Sequence, residues 1–581
     1  MTDQLSDLLE KIDADRLMRT TGTIAQWERL SGSEDERKAF DFIEEQMQSI
    51  GFSCQRYSPT CLVSLPVRAS LQIVGQNEEI PCITHSHAAS TPEDGIEVEL
   101  VDLGKGTPSD YARHRPGGKA VLVDGLATPN TVAPAESFRV AAVIHNSGAH
   151  LHEMSVSPVW GNPTPSTMHM LPSLPHITVD DSGAKRLRDA LSTGTCTVRI
   201  HAEVDTRWKK LPVLIADSPN VDEISMHVLL SGHVDSWYYG AMDNGSANAS
   251  MIETARILSD HSAEMRHGLR LAFWSGHSHA RYATSAWYAD EFWSFTHHYC
   301  LAHVNIDSPG GIGASDLSGA STMAESYPLA REIFNDVAGV ELRYDRIGRL
   351  GDQSFWGAGI PSFYCSISQQ PPEENPTGIG ALLGRGGGLG WWWHTPEDTI
   401  DKLDPDNLKR DAQVLLATVY RLCTDRRLKY DQEPAAREIR QELESLQEVA
   451  GEEFDLSGSI ELARILESAA NDLYNLEIPD DASDDEFALY NGCVTGVSRI
   501  LIPINYTVSG EYEHDLAVPA SPLPGLQPMK QLPERRNSPS AYHPWITKLR
   551  RERNRIDQGL IEATSLIQQT LAVFHMQDDI D

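Results

Sequence analysis

The stretch MHVLLSGHVDSWYYGAMDNGSANASMIETARIL at residues 226–258, continued by LRLAFWSGHSHAR at 269–281, holds two apolar runs with a helical pattern at 247–258 between them. Each run closes on polar residues, the first on His233 and the second on His277. An unbroken apolar run, a helix and a second apolar run form the pattern of a strand–helix–strand unit in a sheet buried on both faces. YCLAHVNID at 299–307 repeats the pattern and ends on Asp307. Residues 209–430 therefore predict an α/β domain with a mainly parallel sheet. Ligand sites of such sheets lie at the carboxyl ends of the strands, where His233, His277 and Asp307 all fall.

Outward from this centre the texture changes on both sides. Residues 1–58 read as amphipathic helices belonging to the catalytic domain, with Leu5, Leu8, Leu9 and Ile12 on one apolar face and Phe40, Phe42, Ile43, Met47 and Ile50 on another. Ser33 is placed to cap the later helix and Gly51 to stop it. Residues 59–208 carry short β-type runs such as ASLQIV, IEVELVDL, KAVLVDG and CTVRIHAEV, broken by Gly, Pro and Asp, with a helix at 182–191; they predict a β-rich insert. Residues 431–581 are helical and charged, interrupted by the Pro-rich VPASPLPGLQPMKQLPERRNSP at 518–539.

Bulk properties exclude some functions. With 83 acidic against 48 basic residues the formal charge is −35, which repels nucleic acid and anionic membranes. The 8 cysteines are scattered with no CxxC pair, as expected of reduced structural thiols in a cytoplasmic protein. The amino terminus alternates charge with apolar residues unlike a signal peptide, and no run of about 18 apolar residues suggests a membrane span.

The chemistry concentrates in four segments. His233 and Asp243 in HVDSWYYGAMD, Asp307 in HVNIDSPGG and His394 in WWWHTPEDTIDKLD supply imidazole and carboxylate donors at strand ends or adjoining loops, a set suited to zinc, manganese or iron. Asp235, two residues past His233, is placed to hold that imidazole in the correct tautomer. His277 and His279 are two apart on an extended segment, so both could face the cavity. GRGGGLGWWW at 384–393 offers Trp393 as an aromatic substrate wall and Arg385 as a carboxylate clamp. His85, His87, His297 and His298 lie outside these segments and are expected at the surface or around the site.

The same segments, with AFWSGHSHARYATSAWY, VNIDS and GDQSFWGAGIPSF, resemble the co-catalytic zinc aminopeptidase family that includes glutamate carboxypeptidase II and the transferrin receptor. RVAAVIHNSGA and LPSLPHITVDDSGAKRL are similar to that family's protease-associated insert, and SRILIPINYT to its helical dimerisation region. The resemblance implies one metal held by His233, Asp243 and Asp307. A second would be held by Asp243, His394 and a glutamate, whose position is occupied by Ser278. It also implies a glutamate general base immediately before, where this chain has His277. His-Ser-His thus replaces the Glu-Glu pair.

Three readings of that exchange stay open. His277 could be the base, since an imidazole titrates near neutrality. His277 or His279 could become a ligand in a site of one or two ions. Or the site could be dead, leaving a non-catalytic binding protein of the transferrin receptor type. The expectation favours retained chemistry: a metallohydrolase acting on an amide or peptide bond of a small molecule or short peptide with metal-activated water. A mononuclear hydrolase or lyase for a non-peptide small molecule is the alternative. The resemblance further implies a homodimer through the C-terminal helices.

Overall fold

The computed structural model describes residues 3–219, 221, 225–372 and 388–578. Its catalytic sheet has six strands in the spatial order Ser53–Tyr57, Val213–Asp217, Gly268–Trp274, His227–His233, Cys300–Asn305 and Ser362–Phe363. The first two pairings are antiparallel and the remaining three parallel. Every residue of His227–His233 and of Cys300–Asn305 is buried, which is why those strands read as unbroken apolar runs. The helix Ala247–Ser259 lays Met251, Ala255 and Leu258 into the core beside Leu230 and Phe273.

The N-terminal helices Asp3–Glu10, Ala14–Ile24 and Glu34–Ser49 belong to that same core through Leu5, Leu9, Leu17, Phe40 and Ile43. Ser33 caps the last of them, its hydroxyl accepting from the Glu36 N–H at 3.0 Å. The C-terminal helices Gln432–Ala450, Ser457–Tyr474, Asp484–Tyr506 and Pro539–Asp578 extend the core with Leu443, Leu466, Val497 and Leu560. Asp484–Tyr506 is long and apolar enough to cross a membrane by length and composition, contrary to the sequence expectation. Most of its apolar window is buried within the protein.

The β-rich insert departs from and returns to the catalytic sheet through neighbouring strands, since Tyr57 pairs with Val213. Two long strands, Thr60–Ile73 and Thr197–Lys210, run antiparallel from the pair Thr60–Lys210 to the pair Ile73–Val198. They lead into an eight-stranded sheet with its own core of Leu71, Leu122, Ile144, Ile177 and Val198. The helix Asp181–Ser192 covers it, capped by Asp180, which accepts from the Gly183 N–H at 2.8 Å.

His85 and His87, expected at the surface or around the site, are instead buried side chains of this insert. His85 Nε2 lies 2.6 Å from Thr178 Oγ1, and His87 Nδ1 lies 3.1 Å from Ser155 Oγ. His145 Nε2 meets His176 Nδ1 at 3.1 Å, also in the interior. Burial lowers all three interior imidazoles, His85 to about 3, His176 to about 4 and His145 well below its ordinary value. Each therefore binds its proton more weakly folded than unfolded. Their contribution is complete above about pH 6.5, the ordinary histidine value, and is lost as the pH falls toward the folded-state values. We expect urea-denaturation stability to drop by ~1.4 kcal/mol per pH unit for each histidine below about pH 6. His85→Gln and His176→Gln should flatten that slope; an unchanged slope in both variants would show that these histidines do not set it.

Candidate metal centre

The loop from His233 to Asp243 is held from beneath by Arg29, a wholly buried residue. Its guanidinium donates to the carbonyl oxygens of Val234 at 2.7 Å, Tyr239 at 2.7 Å and Gly240 at 2.9 Å. Burial lowers this guanidinium to about 10, so it keeps its proton near neutrality. The backbone then turns through an irregular stretch, Ala241–Ser246, fixed by Asp398, whose carboxylate accepts from the N–H groups of Met242 at 2.9 Å and Asp243 at 3.0 Å. Burial pushes the Asp398 carboxyl up to about 7 despite those two donors. The Asp243–Asn244 peptide is cis.

Asp243 joins two distant segments. Its Oδ1 lies 3.1 Å from His233 Nε2 and its Oδ2 lies 3.1 Å from His394 Nε2. His233 Nδ1 lies 2.8 Å from the Asp235 carbonyl oxygen and His394 Nδ1 lies 2.6 Å from the Glu153 carbonyl oxygen. A carbonyl can only accept, so both Nδ1 atoms carry the hydrogen and a neutral ring presents a lone pair at Nε2. Lone pairs therefore face carboxylate oxygens on both sides of Asp243. Asp307 Oδ2 adds another acceptor, 3.6 Å from His233 Nε2. The buried His233 Nε2 and Asp243 Oδ1 have no hydrogen-bond partner.

An array of acceptors aimed at one another is repulsive unless a cation sits among them. Without a metal, a proton must take that part. Burial opposes the charge on His233, but Asp243 and Asp307 outweigh it and raise the imidazole well above its usual value. Burial likewise opposes charge on Asp243, yet His233 and His394 hold its carboxyl below the usual range. The donor set is the oxygen and nitrogen mixture that suits a divalent transition metal, and the orphaned buried atoms fit one.

The His-Ser-His turn is organised by Asp235 and Asp352. Sequence analysis expected the Asp235 carboxylate to hold the His233 ring; its Oδ1 lies 3.7 Å from Nδ1, and the hydrogen bond is made instead by the Asp235 backbone carbonyl. The carboxylate accepts instead from the N–H groups of His277 at 3.3 Å and Ser278 at 3.0 Å and from the Ser31 hydroxyl at 2.6 Å. His277 Nδ1 lies 2.7 Å from Oδ2 of the buried Asp352, whose Oδ1 accepts from Ser285. Burial opposes the Asp352 charge, but His277 outweighs it and keeps this carboxyl low. Asp352 lies in the GDQSFWGAGIPSF segment, and sequence reasoning assigned it no role.

The structure brings Asp243, Asp307, His277 and His394 to one cavity of about 210 Å³, with Trp393 in its wall, and His233 lies buried behind them with Nε2 3.1 Å from Asp243 Oδ1. It does not bring His279 there: that ring is buried with Nδ1 3.1 Å from Ser31 Oγ and packs on Trp237 at 4.4 Å. Arg385 lies outside the described residues. Donor atoms of His233, His277 and Asp307 fall within 4.8 Å of one another, as ligands of one ion would. Yet the His233 and His277 rings are stacked, centres 3.7 Å apart and planes 15° apart. An imidazole binds an ion near its own ring plane, and two nearly parallel planes share no such point close by. That geometry separates the two histidines into different roles.

Arg29 and Ser31 were also illegible as site residues. They sit in WERLSGS, where a polar cluster follows a helix without any periodic or metal-ligand spacing. Because Asp235 faces three donors, Asp235→Asn should turn an amide N–H₂ toward at least one of them and cost about 2 kcal/mol of stability. Urea melts of the purified chain measure this, and a loss below about 0.5 kcal/mol would mean the turn holds without Asp235.

The family description "Peptidase family M28" matches residues 214–419, the segment that supplies His233, Asp243, His277, Asp307 and His394. Among curated relatives, the probable glutamate carboxypeptidase VP8 of Zea mays is 23% identical over 150 residues, 25% of this chain and 20% of that protein. The chain thus spans only a fifth of the maize relative. Aminopeptidase YwaD of Bacillus subtilis (strain 168) is 22% identical over 404 residues, 68% of this chain and 80% of that protein. The structure of BSAP, a zinc aminopeptidase from Bacillus subtilis, superposes with a TM-score of 0.54 at 20% identity over 72% of this chain and 98% of that one, a likeness of fold. Sequence match and sheet topology agree: residues 214–419 match the description of peptidase family M28, and the fold is similar to that of a zinc aminopeptidase.

Proposed function

We propose that the chain is a metal-dependent hydrolase of an amide or peptide bond in a small molecule or short peptide, with His277 as its base. The observation that carries this is the Asp352–His277 pair at 2.7 Å beside the acceptor array around Asp243. His233, Asp243, Asp307 and His394 would hold the metal, with zinc the ion suggested by the zinc aminopeptidase neighbour. When bound, it would supply Lewis-acid polarisation of the scissile carbonyl.

The chain's own residues account for the proton. With Nδ1 donating to Asp352, His277 Nε2 is the free base position and faces the cavity, 3.9 Å from Asp307 Oδ2. It takes a proton from the attacking water and returns it to the departing nitrogen, so the residue ends as it began. Asp352 holds the ring and balances its charge during the interval. Tyr282 meets the His277 ring edge-on at 4.7 Å, limiting its rotation. Apolar wall residues such as Trp237, Leu389 and Trp393 reduce the water around the site.

Metal analysis of the purified chain should find at least one tightly bound transition metal; none would support the non-catalytic reading. Hydrolysis should be measurable on a panel of N-acyl amino acids and dipeptides. His277→Ala should lower turnover by about 10²–10⁴-fold with metal content unchanged. Asp352→Asn should lower it by a smaller factor and shift the pH profile. Loss of metal from His277→Ala would instead make His277 a ligand.

A further inference from the structure

Beyond the proposed metal donors, the cavity wall holds two arginines that no carboxylate among the described residues pairs with. Arg281 and Arg349 both line it, together with His277, Tyr282, Asp307 and His394. Neither arginine forms an ion pair among the described residues. The Nε atoms of both are buried without a hydrogen-bond partner. Arg281 makes one long bond, from Nη2 to the Ala517 carbonyl at 3.4 Å, and lies over the Tyr282 ring at 5.1 Å. Arg349 is 7% exposed and donates only to the carbonyls of Gln353 at 2.6 Å and Asp515 at 3.3 Å. The Asp515 carboxylate is occupied by the N–H groups of Val508 and Ser509, at 2.7 and 2.8 Å.

The two guanidiniums are held against the reacting end by a continuous set of rings. Arg349 lies over Trp160 at 3.9 Å, Trp160 packs on Tyr282 at 4.1 Å, and Tyr282 meets His277 at 4.7 Å. The backbone is forced at this point, with Arg281 and Tyr282 both in the left-handed region, at φ 50° and 66°. Conformations of that kind cost a side-chain-bearing residue free energy and persist where the surroundings impose them. Here the Gly161 N–H of the insert donates to the Arg281 carbonyl at 2.6 Å. A charge buried without a counterion is costly, and burial lowers both arginines below their ordinary value, Arg349 to about 10.

We infer that Arg281 and Arg349 form an anion subsite that seats a carboxylate of the substrate beside the scissile amide. The inference rests on the hydrolase reading for which bond is cut, and adds that the substrate is an acid. A guanidinium offers forked donors that match a carboxylate, and a largely apolar, water-poor wall strengthens the pairing. The same charges repel the free ammonium that an aminopeptidase substrate presents, so this pocket selects against ordinary peptide amino termini.

Binding can be tested without turnover. Isothermal titration of the purified full chain with N-acetylglycine, N-benzoylglycine, succinate and glutarate, each against its neutral amide, should show at least one acid binding about 10- to 100-fold more tightly than its amide. The preference should persist after chelator treatment, which removes a metal as its source. Arg281→Gln and Arg349→Gln should each reduce the acid-to-amide ratio toward one while amide affinity and metal content stay the same. Equal binding of acid and amide by the unmodified chain overturns the inference, and so does an acid preference that survives in both variants. Failure of the hydrolase reading has a different signature, absence of turnover or of bound metal with the acid preference intact.

Discussion

Asp243 is the constraint on which the site depends. Its two carboxylate oxygens face imidazoles from segments 161 residues apart in the chain, His233 and His394, and its backbone N–H is fixed by Asp398. Both imidazoles have their hydrogens turned away toward carbonyl oxygens. The arrangement is therefore a set of lone pairs under mutual repulsion, stable only with positive charge at its centre. Folding stability and metal affinity are thereby linked, because the metal-free protein must protonate His233 where a bound cation would remove the need.

The insert is part of this constraint. The carbonyl that orients His394 belongs to Glu153, and a second insert residue, His152, places Nδ1 2.7 Å from the Trp393 carbonyl on the same loop. The Gly161 N–H holds Arg281, and Trp160 donates to Ser354 at 2.8 Å, two residues past Asp352. An insert that departs and returns through paired neighbouring strands is anchored at one edge of the catalytic sheet yet reaches across its carboxyl ends. Movement of this module relative to the sheet would disturb His394 and the cavity wall together.

Much of the centre was legible because ligands obey local rules. His233 and Asp307 fall where apolar runs end, and the strands His227–His233 and Cys300–Asn305 are buried throughout because both faces are covered. The unreadable residues act through backbone groups or across long sequence separations. Arg29 stabilises the ligand loop by donating to three carbonyls, a function open to any buried guanidinium and tied to no spacing. Asp235 was visible as a carboxylate near His233, but the alternating directions of His277 and His279 were not. An extended pattern would aim both rings one way, whereas the chain turns tightly at this point and only His277 reaches Asp352. His279 is turned to Ser31 by that same turn.

Against the Glu-Glu pair that the resemblance implies, the His-Ser-His turn also alters the charge of the proposed site. Two carboxylates at those positions would add negative charge to a cavity that already contains Asp243 and Asp307, with Asp352 just behind. His277 and Ser278 bring no carboxylate there, and Ser278 Oγ is itself buried without a partner. Within the same turn, Arg281 contributes a positive charge that Asp352, engaged by His277 and Ser285, does not take up. Loss of acidic groups and gain of an unneutralised guanidinium act in the same direction. Coulombic interactions grow as water is excluded, so in a partly apolar cavity this net change weighs more than its two or three unit charges would in solvent. On the proposed reading, an imidazole at the base position carries no carboxylate charge, so it is compatible with an anionic substrate in a way that a glutamate is not, and the His-Ser-His turn and the two arginines act together.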